Sequence, residues 1–148
     1  MRHGEALQGA DDSKRPLSQR GKEESAAVAR YLLQNGAKVD IFYQSTKQRA
    51  KETAQIVKDI LNPQAAVQTK SGLAPNDPVE NILPELNAGN KNLMIVSHLP
   101  FLGKLVSRLV TGQEEDGIVP MPTASVVILK DSAQGLWNIK GIVAPEDI

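Results

Sequence analysis

Asn92-Leu93-Met94-Ile95-Val96-Ser97-His98-Leu99-Pro100-Phe101 is the stretch on which the reading of the fold turns. Leu93 to Val96 is a nearly continuous apolar run, lacking the alternation of a half-solvated strand, as expected for a central strand covered on both faces. His98 falls just past the end of that strand. Phe101 to Val110 then reads as an apolar-faced helix stopped by Gly112.

Working outward, the upstream sequence alternates helices with strands. Ser18 can cap a helix running to about Asn35, with Ala26, Ala29, Leu32 and Leu33 at helical spacing and Gly36 as its stop. Val39 to Gln44 reads as a short strand. Ser45 is expected to cap a second helix to about Leu61, where Ala50, Thr53, Val57 and Ile60 make one face and Pro63 ends it. Ala66 to Thr69 is a weaker strand. Asp77 followed by Pro78 fits the N-cap and first position of a short helix, with Pro84 kinking or stopping it. Downstream, Ala124 to Lys130 and Leu136 to Val143 read as a hairpin pair. This order implies an α/β layered sandwich with a largely parallel sheet.

At 148 residues without internal repeats or a Gly/Ser linker, the chain fits a single domain, residues 1–148, around one core. Seventeen basic residues balance seventeen acidic ones, so the net charge offers no footprint for nucleic acid or an anionic membrane and any anion recognition must be local. The absence of cysteine excludes disulfides, thiolate catalysis and Cys-ligated zinc. No apolar run reaches the length of a membrane span and Met1 to Ala10 lacks the core of a signal peptide, so the expected location is the cytoplasm.

Chemistry-bearing residues gather in four short pieces. The chain's two histidines sit beside small residues in Arg2-His3-Gly4-Glu5 and Ser97-His98-Leu99-Pro100. Ligands of open α/β sheets collect outside the carboxyl ends of the strands, where His98 falls; His3 would need a preceding strand to match it. In Ser45-Thr46-Lys47-Gln48-Arg49-Ala50, Arg49 occupies the first turn of a helix and points back toward a strand end. Arg15-Pro16-Leu17-Ser18, with Gly21 following, is the fourth. Taken singly, His98 reads as a hydrogen-bonded loop residue, Arg49 as part of a solvated charged stretch and Arg15 as a loop charge.

Together and in this order, Arg2-His3-Gly4, the Ser45 to Ala54 segment with Arg49, and Ser97-His98 resemble the histidine phosphatase superfamily, which includes the phosphoglycerate mutases and acid phosphatases. Arg15-Pro16-Leu17-Ser18, the compact length and Val96-Ser97-His98-Leu99-Pro100 look most like its SixA-type phosphohistidine phosphatases. The resemblance implies a three-layer α/β/α sandwich with a mostly parallel central sheet, phosphoglycerate mutase-like, and a hydrolase needing no metal or cofactor. It implies that His3 is the nucleophile forming a covalent phosphohistidine, with Arg2, Arg49 and His98 donating to the equatorial phosphoryl oxygens. Arginine suits that task because its planar fork matches phosphate and stays charged. Arg15 is expected at the rim or on the phosphate. The resemblance also points to the loop at Leu73 to Asp77 as the pocket border, with Asp77 the nearest carboxylate for a general acid or base; its alternative role is the N-cap before Pro78. Glu5 reads as a structural carboxylate.

A phosphohistidine substrate lessens the need for an acid. The implied partner is therefore a phosphorylated histidine of a phosphorelay or phosphotransfer protein, since no insertion is long enough to form a lid over a sugar phosphate. A small phosphomonoester as substrate and an inactive phosphate-binding relative are the alternatives. One departure stands out: family members begin with a hydrophobic strand leading into Arg-His-Gly, and only Met1 precedes Arg2. The expectation is a sheet lacking this central strand and a His3 without an anchor, with about five to seven β-rich residues preceding Arg2 in the native gene.

Overall fold

The structure is a computed structural model and describes residues 1–86, 90–115 and 117–148. Strand β1 (Ile41–Gln44) lies between β2 (Ala66–Thr69) and β3 (Leu93–Val96), and both pairings are parallel, with Ile41 opposite Ala66 and Leu93. Alternation along these strands sorts the core into two layers. Phe42, Met94 and Val96 pack with Val28, Ala29 and Leu32 of helix α1 (Gln19–Gln34) and with Ala50, Ala54 and Val57 of helix α2 (Gln48–Leu61). On the other face, Tyr43 and Ile95 pack against Leu73, Val79 and Ile82. Phe101, Leu102, Leu105 and Val106 belong to the same cluster and come from the helix after β3. The sheet is thus sandwiched between helical layers, and burying a side chain such as Phe42 or Phe101 stabilises by roughly 1.5–3 kcal/mol.

Three expectations shift locally. Helix α2 begins at Gln48 with Lys47 as its N-cap and no side-chain cap, while the Ser45 hydroxyl accepts the Lys47 N–H in a turn ahead of the helix. Asp77 does not cap a helix: its carboxylate accepts the Ala74 N–H at 2.8 Å, closing a turn before the short 3-10 helix Val79–Asn81. Pro84 neither kinks nor stops a helix, because it sits in the first turn of the one-turn helix α3 (Leu83–Leu86), where its missing N–H is not needed.

Helix α4 (Phe101–Thr111) follows β3, and β4 (Val126–Asp131) pairs antiparallel with β5 (Trp137–Val143), with a register shift between Ile128 and Leu129. The hairpin and β3 are stitched together by Met1–His3. On the β3 side, the Met1 nitrogen donates to Ile95 O, Ser97 N–H to Met1 O and His3 N–H to Ser97 O; on the hairpin side, Arg2 N–H donates to Ser125 O and Ala124 N–H to His3 O. The expectation of an unanchored His3 is therefore corrected: three residues take strand positions and hold it from both sides. Beyond Met1 the seam opens into a groove of about 980 Å³ lined by residues including Leu93, Ile95, Val127 and Leu129. Among the described residues no helix is long and apolar enough to cross a membrane.

Candidate active site

His3 and His98 meet at the carboxyl end of the parallel strands. Their ring centroids are 5.0 Å apart, and His3 is 9% and His98 1% exposed. His3 arrives from the stitch, His98 from the turn after β3. The His3 loop is locked by close backbone packing: a Cβ on Gly4 would stand 2.7 Å from Gly21 O and from Ser25 Oγ, and one on Gly21 would stand 2.1 Å from Glu5 O. Only glycine permits this approach of α1 to the loop. Gly4 N–H donates to Thr53 Oγ1, whose hydroxyl donates to Arg49 O, so the first turn of α2 and the His3 loop share one hydrogen-bonded link.

His3 Nδ1 lies 2.7 Å from the Gly4 carbonyl oxygen. A carbonyl can only accept, so Nδ1 carries the proton and Nε2 keeps its lone pair. Burial pushes His3 down to about 4; the Gly4 hydrogen bond opposes this, and Arg49, Arg2 and Arg15 lower it further. Burial likewise pushes His98 down to about 3, with His3, Arg49 and Lys47 adding to the effect. Both rings are neutral near pH 7 in this state.

A cavity of about 340 Å³ is lined by these two rings with Arg2, Arg15 and Arg49, together with Glu5, Ala6, Pro75, Leu99 and Thr123. Arg49, 5% exposed, donates to Asp12 O at 2.9 Å; Arg2 donates from one terminal nitrogen to Met121 O, and Arg15 Nε donates to Leu7 O. Arg2 Nε and His98 Nδ1 are buried without a partner among the described residues, so two polar atoms on the cavity's residues stay unsatisfied by protein. Such a set of fixed cations around a neutral imidazole can bind a multiply charged oxyanion and present a nitrogen lone pair to its central atom.

Five of the six site candidates from the sequence, Arg2, His3, Arg15, Arg49 and His98, come together. Asp77 does not join them: Pro75 of its loop lines the cavity, but its own carboxylate serves the Ala74 turn. Glu5 lines the cavity, yet its carboxylate accepts from Ser18 Oγ at 2.8 Å and lies 3.8 Å from Arg20. Asp12 was not foreseen. Its carboxylate meets Lys47 at 2.6 Å, Arg15 at 3.3 Å and Arg49 at 3.4 Å, bracing the cations, and the Lys47 hydrogen bond chiefly holds its carboxyl well below the usual carboxylate range. With its side chain 56% exposed, these pairs orient the arginines more than they stabilise the fold. The sequence signal was the spacing of three residues to Arg15. Ser45, read as a helix cap, instead lies 2.8 Å from His98 Nε2.

Fold and site together define a phosphoryl-handling histidine hydrolase, and the profile described as histidine phosphatase superfamily (branch 1) matches residues 1–75. The chain belongs to that superfamily, and within it is SixA-like. It is 33% identical over 143 residues to the phosphohistidine phosphatase SixA of Escherichia coli (strain K12), covering 93% of this chain and 88% of that protein. A structure of the protein histidine phosphatase SixA complexed with tungstate superposes with a TM-score of 0.89 at 30% identity, covering 99% of this chain and 96% of that one. The putative phosphohistidine phosphatase SixA from Agrobacterium tumefaciens, at 20% identity and TM-score 0.81 over 98% and 95% of the two chains, shares the fold.

Proposed function

We propose that this chain is a phosphohistidine phosphatase acting on a phosphorylated histidine of another protein through a covalent phospho-His3 intermediate. The observation that carries the reading is a cavity that pairs a neutral imidazole with three arginines while the nearby carboxylates are engaged elsewhere: Glu5 with Ser18, Asp77 with the Ala74 turn, and Asp12 with Lys47 and the arginines. In the first half-reaction, the His3 Nε2 lone pair forms a bond to phosphorus while the bond from phosphorus to the substrate's imidazole nitrogen breaks. When the other nitrogen of that imidazole already bears a proton, the ring takes the bonding pair and leaves neutral. An alkoxide leaving group has no such route and needs a general acid.

The second half-reaction has the same logic. Water attacks phosphorus, the bond to His3 Nε2 breaks, and His3 leaves neutral because Nδ1 keeps its proton against Gly4 O. The attacking water's proton goes to a phosphate oxygen or to solvent, and inorganic phosphate departs. Arg2, Arg15, Arg49 and His98 hold the equatorial oxygens throughout, where fixed donors stabilise the charge of the transition state. The cavity of about 340 Å³ is large enough for a phosphoryl group with the imidazole ring that carries it. The E. coli relative, a phosphohistidine phosphatase, supports the same substrate class.

The test is a substrate panel of a phosphohistidine phosphotransfer protein, phosphoramidate, an aryl phosphate and sugar phosphates. The expected order of kcat/KM places the phosphorus–nitrogen substrates first and alkyl esters last. Activity confined to sugar phosphates overturns the assignment in favour of a small-molecule phosphomonoesterase, and tungstate binding without turnover marks a phosphate-binding relative.

A further inference from the structure

We propose that Ser45 is a positioning residue that holds His98 as its Nδ1–H tautomer, so that the nitrogen without a protein partner offers a donor to the phosphoryl group. The role in catalysis rests on the phosphoryl-transfer reading above; the tautomer itself does not. Ser45 is fully buried and directly follows β1, and its Oγ lies 2.8 Å from His98 Nε2. That same Oγ accepts the Lys47 N–H at 3.2 Å.

A hydroxyl has one proton to give and two lone pairs to receive with. Lys47 N–H occupies a lone pair, and among the described residues the hydroxyl proton has no acceptor other than His98 Nε2. Nε2 therefore keeps its lone pair for Ser45, and the ring proton of the neutral imidazole sits on Nδ1. The opposite tautomer buries a hydroxyl proton with nothing to receive it, an arrangement that is costly in a desolvated site. It also leaves a lone pair on Nδ1, which is buried on a cavity-lining ring and would face an anion's oxygens with an acceptor instead of a donor. The N-cap position of α2 falls on Lys47, whose side chain has no acceptor to offer, so Ser45 two residues earlier is free of any capping role.

The test is long-range proton–nitrogen NMR on histidine-labelled protein, which contains two rings, with the His3→Gln variant assigning them. Wild-type His98 is expected with a protonated Nδ1 and a lone-pair Nε2. In Ser45→Ala the ring is expected to become a mixture of tautomers, with kcat on phosphoramidate falling about 10- to 100-fold and KM changing less than about threefold. Ser45→Thr, which keeps the hydroxyl, is expected to restore the single tautomer. Wild-type His98 protonated at Nε2, or Ser45→Ala with an unchanged tautomer and kcat, overturns the proposal. The wild-type spectrum decides even where a variant fails to fold. A chain inactive on every phosphoryl substrate, with His98 protonated at Nδ1, sinks the functional reading while upholding the tautomer.

Discussion

Among the described residues, two cavities along one seam are built in opposite ways. At the carboxyl end of β3 the seam is closed by backbone hydrogen bonds from Met1–His3 to both sides, and the cavity there, about 340 Å³, is walled by cations and imidazoles held by named partners. At the other end the gap between β3 and β4 is about 980 Å³, with Leu93, Ile95, Val127 and Leu129 among the residues facing it. The first cavity is preorganised, and the second is lined by a mixture of apolar side chains and polar ones such as Lys38, Asn92 and Lys130. The lesson is that chemistry and stability are separated along the seam, with a three-residue stitch carrying the mechanical connection between them. Changes in the polar cavity should act on rate with little effect on melting, and changes in the groove should act first on melting.

The sharpest way to break this division is His3→Ala. It is expected to remove turnover by at least about 10⁴-fold, as losing a covalent nucleophile does, while the melting temperature stays within a few degrees. Large residual activity removes His3 from its role. Arg49→Ala follows, with an expected loss of about 10²- to 10³-fold in kcat/KM, the usual cost of one preorganised donor; an unchanged rate returns Arg49 to a structural part bracing Asp12.

Acid is the exception to that division, because it acts on stability through the polar cavity's own histidines. His3 and His98 are lowered to about 4 and about 3 from an ordinary 6.5, so the unfolded chain takes up protons before the folded one does. Their contribution is intact above about pH 6.5 and is lost as pH falls toward about 4, on the order of 1 to 3 kcal/mol per pH unit in the middle of that window. Urea unfolding across pH 4 to 8 measures it. A His3→Gln/His98→Gln variant whose stability falls just as steeply would show that other groups are responsible. The smallest expected effect lies in the groove: adding about five alternating valine and threonine residues before Met1 should fill it and raise the melting temperature by roughly 5 °C, after the ordering entropy is subtracted. A lower melting temperature would mean that the groove does not accept an added strand.

Much of this was legible in the sequence, for reasons that differ by region. The apolar run Leu93 to Val96 declared a strand covered on both faces because its burial on two sides leaves no polar face to alternate with. Arg2, His3, Arg49 and His98 could be grouped from their short motifs, and the structure brings these four side chains to one cavity. Ser45 was misread because a serine ahead of a helix satisfies the local capping rule, while its partner His98 lies 53 residues away in sequence. Asp77 was misread for the same local reason, its carboxylate turning three residues back to Ala74. The anchoring of His3 was hidden because backbone pairing between Met1–His3, Ser97 and Ala124–Ser125 leaves no mark on side-chain pattern.

The most direct test of the central claim is rapid quench of the wild-type protein with a phosphohistidine protein carrying labelled phosphate, followed by peptide mapping. A transient phosphoryl label is expected that is acid-labile and base-stable, located on His3 and formed and lost at rates that match turnover. Label on any other residue, or release of phosphate at the full rate with no labelled protein and with His3→Ala still active, would contradict it.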